Sequence, residues 1–413
     1  MVNIDICMDR KILQINVVAN SGSTGRIAEG IGEVLIEKGW TCYTAYGRWA
    51  NPSKTILYRI DKKYEVYFHY FVSRFMGKNG LASKNATKRL IKFIRKINPD
   101  LIHLHNIHGY YINYPILFQY LGTLNIPIVW TLHDCWAFTG HCVHYTAVNC
   151  KKWMTSCSHC SNLNVYPRSL IDCSKRSYKL KKESFTSISN LTIVTVSKWL
   201  KNEVKQSFLS KFPVKVIQNG VDTEVFRPIK SNIKSKYLIN NKFVILGVAT
   251  QWNERKGLND FYKLAELLSD DEIIILVGLN KRQLRSLPHN IVGIAQTENI
   301  SELVQLYAGA DIFVNLSIEE TFGLTTIESM ACGTPVVVYN STACPEIVTK
   351  ETGFVIQPHD ILNVYNVIQQ IKENGKQKYI EPCISYVKSN FDKRNKYGEY
   401  VNLYNGLLAD NIL

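Results

Sequence analysis

Residues Ser317–Val338 read SIEETFGLTTIESMACGTPVVV, and this stretch decides the fold. It follows an apolar run, Ala310-Asp311-Ile312-Phe313-Val314, that reads as the end of a buried strand. Phe322-Gly323-Leu324 then opens a helical stretch, Cys332-Gly333-Thr334-Pro335 stops it, and Val336–Tyr339 is apolar again. Strand, glycine loop, helix, stop and strand make one unit of a parallel α/β sheet. Glu320 and Glu328 bracket the loop with seven residues between them. The backbone N–H groups of Phe322, Gly323 and Leu324 would favour an anion at the start of the helix. Acids beside an anion make sense if they face its uncharged parts. A nucleotide sugar satisfies both, its diphosphate on the N–H groups and its hydroxyls on the carboxylates.

The 413 residues suffice for two domains, and 46% hydrophobic residues for two cores. No run of eighteen apolar residues is present, and Met1–Arg10, with Asp5 and Asp9, lacks the apolar core of a signal peptide. A cytoplasmic protein is expected. The net charge of +15 is uneven: residues 1–220 carry 30 Lys/Arg against 12 Asp/Glu, residues 221–413 carry 19 against 22. A basic first half suits nucleic acid, an anionic membrane or a phosphorylated acceptor. No nucleic-acid motif accompanies it, so no nucleic-acid partner is expected.

Working outward, Lys11–Val18 reads as a first buried strand, feeding Ser21-Gly22-Ser23-Thr24-Gly25-Arg26 and a helix over Ile27–Lys38. Gly22 and Gly25 would let backbone approach a phosphate or sugar; a plain tight turn explains them equally. The window Tyr64–Met76 is crowded with rings and Lys84–Lys96 is basic at helical spacing. Together they read either as an amphipathic surface touching a bilayer or as core helices with solvated lysines. Pro99–His105 and Pro127–Asp134 are strands ending in histidines. His133, beside Asp134 at a strand's carboxyl end, is a candidate site residue. Six of eleven cysteines fall between Cys135 and Cys173. The spacing Cys142-x7-Cys150-x6-Cys157-x2-Cys160 suits a structural zinc knuckle, with His141, His144 and His159 as alternative ligands; scattered thiols are the other reading. Further on, Ser197 is placed to cap a helix, Lys256-Gly257 opens another after the strand Phe243–Thr250, and Tyr397, Tyr400 and Tyr404 share one face of a helical tail.

Several of these motifs, in this order, resemble the family-4 glycosyltransferases of the GT-B fold. The motifs are Asn219-Gly220-Val221-Asp222 with Phe226 and Pro228, Lys256-Gly257, and Glu320-x7-Glu328 inside the opening stretch. The segment from His133 to Cys142 is similar to a bacterial subgroup associated with capsule, O-antigen or exopolysaccharide assembly. The resemblance implies two Rossmann-like domains facing across a cleft. Residues 1–220 would form the acceptor side, with the Cys-rich segment 135–173, residues 221–390 would hold the nucleotide sugar, and a helix in 391–413 would cross back. It implies that Glu328 binds ribose and Lys256 the diphosphate. Glu320, with Phe322, Gly323 and Leu324, would hold the sugar, Gly22, Gly25 and Asn219 would line the donor, and His133 would face the reacting sugar.

The implied reaction is retaining transfer of a hexose-type sugar without a divalent metal. The basic first half suits a glycan acceptor that is polyprenyl-diphosphate-linked, at the inner membrane face. Many members carry an arginine where this chain has Gln251, and Arg255 is the nearest substitute. A nucleotide-sugar epimerase of the same fold and a non-catalytic nucleotide-sugar-binding protein are the alternatives. A phosphorylase would need a pyridoxal lysine site that is not identifiable.

Overall fold

The computed structural model describes residues 10–410; the charged start of the chain with Asp5 and Asp9 lies outside them. Two parallel sheets organise the chain. The first holds β1 (Lys11–Asn16), β2 (Thr41–Tyr46), β3 (Ile56–Arg59), β4 (Leu101–Leu104), β5 (Ile128–Leu132), β6 (Leu191–Thr195) and β7 (Val214–Val216), in the order β3-β2-β1-β4-β5-β6-β7. The second holds β8 (Phe243–Val248), β9 (Glu272–Val277), β10 (Ile291–Ile294), β11 (Ile312–Asn315), β12 (Val336–Tyr339) and β13 (Gly353–Ile356), in the order β10-β9-β8-β11-β12-β13. Every strand pairing is parallel, and the central strands β4, β5, β6 and β9 are buried along their whole length. That is why they read as continuous apolar runs rather than alternating ones.

Both sheets share one topological feature. The chain runs outward from the first strand, then returns to its other side: β4 lies beside β1, and β11 beside β8. Loops leaving the carboxyl ends of such a pair diverge and open a crevice, where ligands of open parallel sheets bind.

By internal contacts the chain divides into two units. One runs to Gln218 and includes the segment from Lys396 onward; the other is Asn219–Asn395. The last helix, Lys393–Asp410, therefore contributes most of its length to the first unit, where Tyr397, Tyr400 and Tyr404 are buried on one face. Within the second unit, Asn219-Gly220-Val221-Asp222 is clasped to the segment before that helix. Val221 N–H donates to Phe391 O at 2.8 Å, Lys393 N–H to Val221 O at 2.9 Å, and Lys393 Nζ reaches Asp222 at 2.6 Å.

The two helices of the basic, aromatic region differ in burial. On Lys63–Met76 only His69, Val72 and Ser73 are buried, while Tyr64, Tyr67, Phe68, Tyr70, Phe71, Phe75 and Met76 are exposed, Tyr67 by 74%. It is not a core helix. Lys84–Ile97 is one: Ala86, Leu90, Ile94 and Ile97 are buried and its lysines face out.

Candidate active site

In the second unit the crevice lies between the loops after β8 and β11. Asn315, the last residue of β11, turns the chain: its side chain donates to Thr326 Oγ1 at 3.1 Å and accepts from Ser317 N–H at 3.1 Å. This ties the strand end to the helix Leu324–Ala331, which begins after Gly323 in the left-handed region at φ 97°. The peptide groups of Glu320 are held by Thr342, whose hydroxyl accepts from Glu320 N–H at 2.8 Å and lies 2.7 Å from Glu320 O.

The loop after β8 is sewn to the one after β11. Ile318 N–H donates to Arg255 O at 3.0 Å, and Asn253 caps the turn Glu254–Lys256 by accepting from Lys256 N–H at 3.1 Å. Gly257 stands at φ 77°, and a Cβ there would lie 2.3 Å from Leu316 O. Only glycine lets the two loops come this close.

These contacts place charges in pairs. Lys256 Nζ donates to Glu320 Oε2, with each side chain about one-fifth exposed (20% and 19%). Arg255 donates to Glu319 O at 3.0 Å and lies 3.8 Å from the Glu319 carboxylate, which is 4% exposed. The loop thus carries two adjacent cations although Gln251 is not one. Glu328, 5% exposed, accepts from Tyr307 OH at 3.0 Å. Phe322 is buried, with its ring 6.1 Å from Phe391, so the N–H groups at this helix start rest on a fixed side chain. Glu319 and Tyr307 were not singled out in the sequence. An acid doubled with Glu320 was a signal for the first; the second offered none.

In the first unit the crevice lies between the loops after β1 and β4. The helix there begins at Gly22 itself, earlier than the sequence suggests, and runs to Glu37. Asn16, at the end of β1, donates to Val18 O at 3.0 Å and accepts from Asn106 N–H at 3.3 Å, joining the two loops. Beyond β4 and β5 the histidines form a chain. His133 Nε2 lies 3.1 Å from His105 Nδ1, and His105 Nε2 lies 3.0 Å from Gln14 Oε1. Alongside, His108 Nε2 meets Asp134 Oδ2 at 2.8 Å and His108 Nδ1 meets Tyr166 OH at 3.1 Å.

Burial pushes His133 down to about 4 despite the pull of Asp134, and holds His103 and His105 well below the usual imidazole range. Burial would raise Asp134, but His108 beside it brings the carboxyl down to about 2. His103, His105 and His133 are therefore neutral imidazoles at physiological pH. For Gln14 the available signal is a polar residue set between Leu13 and Ile15 in β1.

Asn219 is buried at the start of the clasp described above. The cysteines lie in the long connection between β5 and the helix Ser174–Phe185, whose only regular pieces are turns at Thr146–Val148 and Lys152–Met154. Cys142, Cys150, Cys157 and Cys160 are free thiols; Cys157 Sγ accepts from Gly140 N–H at 3.1 Å, and a hydrogen bond from Cys142 brings Cys160 down to about 7. Among the described residues no three His, Cys, Asp or Glu side chains stand together as ligands for a metal ion.

Comparison with known proteins agrees with this architecture. Residues 25–225 match the family model described as Glycosyltransferase Family 4, and residues 229–389 match Glycosyl transferases group 1. Over 96% of the chain and 100% of its length, the colanic acid biosynthesis glycosyl transferase WcaC of Escherichia coli is 22% identical. Among solved structures, sucrose-phosphate synthase from Thermosynechococcus elongatus superposes with a TM-score of 0.69, covering 97% of this chain and 100% of that one at 16% identity. HepE of Anabaena, in complex with UDP-glucose, gives 0.65 over 96% and 99% at 15% identity. With the two matches running almost unbroken along two Rossmann-like sheets, the chain belongs to glycosyltransferase family 4 and is a glycosyltransferase of the GT-B fold.

Proposed function

We propose that this glycosyltransferase moves a hexose-type sugar from a nucleotide-diphosphate donor to a lipid-linked glycan acceptor, with retention, in the assembly of a bacterial surface polysaccharide. The observation that carries the reading is the Lys256–Glu320 pair at the β8/β11 crevice, opening onto the start of the helix Leu324–Ala331. A cation and N–H groups suit the diphosphate, and the carboxylates Glu320 and Glu328 suit the hydroxyls of sugar and ribose. Similarity to HepE, solved with UDP-glucose, and to a colanic acid transferase supports the donor and the pathway class.

In this reading the bond from the anomeric carbon to the diphosphate oxygen breaks through an oxocarbenium-like state. The acceptor oxygen bonds to the same face, and its proton passes to the departing diphosphate. Lys256, released from Glu320, and the N–H groups of Phe322, Gly323 and Leu324 stabilise the charge that develops there. Arg255, braced on Glu319, stands in for the arginine absent at Gln251. Gly22 and Gly25 lie along the donor, His133 meets the transferred sugar, and no divalent metal takes part.

Lys256→Ala is expected to lower turnover about a hundred- to a thousandfold with the matched donor, found by screening nucleotide sugars by thermal shift. Glu320→Ala should act chiefly on the sugar-bearing donor and little on the free nucleotide. Near-normal turnover in both would remove the assignment.

The membrane face of the reading rests on the helix Lys63–Met76. Its exposed rings, flanked by Lys62, Lys63, Arg74 and Lys78, fit an anionic bilayer at the inner face of the membrane. No helix among the described residues is long and apolar enough to cross one. Vesicles containing anionic lipid should bind the protein, and the double variant Tyr67→Ser, Phe71→Ser should release it with its melting temperature unchanged. Equal binding by the variant would end this part of the proposal.

A further inference from the structure

Three arginines of the first unit gather around one residue, Tyr110, and each is delivered by a different element. Arg48 follows β2, Arg74 stands in the last turn of the helix Lys63–Met76, and Arg168 lies in the long connection after β5. Contacts of their neighbours draw them in. Tyr70, one turn before Arg74, meets the Tyr110 ring edge-on at 5.4 Å, and Tyr166, two residues before Arg168, meets it at 6.1 Å. Leu170 N–H donates to Arg74 O at 2.8 Å, which binds the Arg168 segment to the helix. Gly47, beside Arg48, is so close to Tyr111 that a Cβ there would lie 2.2 Å from the ring. Burial pushes the Tyr110 hydroxyl up to about 12, while Arg48, Arg74 and Arg168 all pull it the other way.

The backbone that carries Tyr110 is held in an unusual form. Gly109 stands at φ 113° and Tyr110 at φ 72°, in the left-handed region that a bulky side chain rarely enters. A Cβ at Gly109 would lie 2.4 Å from Val17 Cγ2, so the loop after β4 is pressed against the loop after β1. Strain of this kind persists where its surroundings over-determine it, and it clusters at ligand sites.

This gathering of like charge lacks a counter-charge. The carboxylates carried by the same elements are committed elsewhere: Glu65 to Arg89 at 2.5 Å, Asp134 to His108 at 2.8 Å, and Asp172 to the N–H groups of Cys160 and Ser174, both at 2.8 Å. Among the described residues no carboxylate pairs with Arg48, Arg74 or Arg168, and Arg74 Nη1 is buried with no hydrogen-bond partner. Arg48 lies over the exposed Trp49 ring at 4.2 Å; Arg48 and Arg74 are half-buried and Arg168 is exposed, so the cluster reaches solvent.

We propose that Arg48, Arg74 and Arg168 form a binding site for the diphosphate of an isoprenoid-linked acceptor. Guanidinium groups present rigid forks of N–H donors that meet phosphate oxygens in parallel pairs. A diphosphate offers three such forks more charge and more oxygens than the single phosphodiester of a phospholipid. The helix that carries Arg74 also carries the exposed rings of Phe71 and Phe75, 4.6 Å apart, along which an isoprenoid chain can lie. The inference rests on the reading that the acceptor is lipid-linked, and the site needs the first unit alone.

The test is calorimetry on the full-length protein with farnesyl diphosphate, a soluble probe that carries both chemistries. It should bind, and Arg48→Gln and Arg74→Gln should each weaken it roughly ten- to a hundredfold, the scale of a hydrogen-bonded charged group. The double variant Lys88→Gln, Lys92→Gln, which removes two outward-facing charges, should bind as wild type does. Farnesol and dihexanoyl-phosphatidylglycerol should both bind at least tenfold more weakly than farnesyl diphosphate. Melting curves accompany each variant, and Arg168→Gln, at an exposed position, carries the test if Arg74→Gln does not fold.

Equal affinity for farnesyl diphosphate in wild type and in folded Arg48→Gln and Arg74→Gln overturns the proposal. Binding of dihexanoyl-phosphatidylglycerol as tight as that of farnesyl diphosphate, and dependent on the same arginines, also overturns it, because the site would then read bilayer headgroups. Inorganic pyrophosphate binding as tightly as farnesyl diphosphate overturns the isoprenoid half. Failure of the underlying lipid-linked reading shows separately, as turnover on a lipid-free glycan that added farnesyl diphosphate does not inhibit.

Discussion

At the crevice between β8 and β11 the second unit places Lys256 against Glu320 and Arg255 against Glu319. At the corresponding crevice of the first unit, between β1 and β4, stand Asn16 and Asn106, with Gln14, His105 and His133 behind them, all uncharged at neutral pH. The topology is the same and the chemistry is opposite. Lys256 and Glu320 are each left about one-fifth exposed, so that on the proposed reading both could change partners when a diphosphate arrives. The uncharged groups of the first unit can be buried deeply, because a neutral imidazole or amide satisfied by hydrogen bonds carries little desolvation penalty. The difference suggests a division of labour in which one corner supplies charge and the other supplies directed hydrogen bonds.

The sharpest way to break the comparison is at the glycines. Gly257 has both a left-handed φ of 77° and a neighbouring backbone oxygen 2.3 Å from where a Cβ would go. Gly22 has a left-handed φ of 58° and nothing within 4 Å. Gly257→Ala must push the β8 and β11 loops apart, costing about 3 kcal/mol and displacing Lys256. Gly22→Ala meets only the backbone preference, about 1 kcal/mol. Urea unfolding with donor titration checks both. Equal costs would mean that the close approach of the charged loops is not a structural requirement.

The charged corner was legible in the sequence and the neutral one only in part, for a physical reason. In Ser317–Val338 the strand, the glycine loop and the helix are consecutive, so local rules bring Glu320, Gly323 and Glu328 together. Lys256 could be placed because it stands beside Gly257 at the opening of a helix, again a local pattern. By contrast, Gln14 finds its partners 14 and 91 residues away, at Ala28 and His105, and no local pattern announces such a pairing. Strands β2, β3 and β10 also escaped notice. TCYTAY mixes polar and apolar residues, ILYR is largely exposed, and IVGI carries a glycine. β3 and β10 are edges, buried on fewer sides than the central runs that announce themselves.

The smaller test is made with pH, and its sign follows from the direction of the shifts. Above about pH 6.5 the imidazoles are neutral in both folded and unfolded chains. Below it the unfolded chain binds protons that folded His133 refuses until about pH 4, and that His103 and His105 refuse more strongly still. Their folded values are depressed, so this stability is present above the unfolded value and is lost as pH falls from about 6.5 through 4. Each refused proton contributes a slope of about 1.4 kcal/mol per pH unit. His69, pushed by burial to about 3, adds to the same trend from outside the crevice. Asp134, held near 2 by His108, contributes only at lower pH, so carboxylates of its kind do not mimic the effect in this window. Urea midpoints at pH 7, 6 and 5 and constant ionic strength should fall progressively; Asp61, raised by burial to about 7, offsets about one proton of that slope, while Lys181 and Lys376, lowered by burial to about 7 and about 8, act above pH 7. Replacing His69 with glutamine removes one proton from the slope without touching the crevice. A flat profile from pH 7 to pH 5 would show that the histidine layer accepts charge readily, and the contrast between the two corners would then be lost.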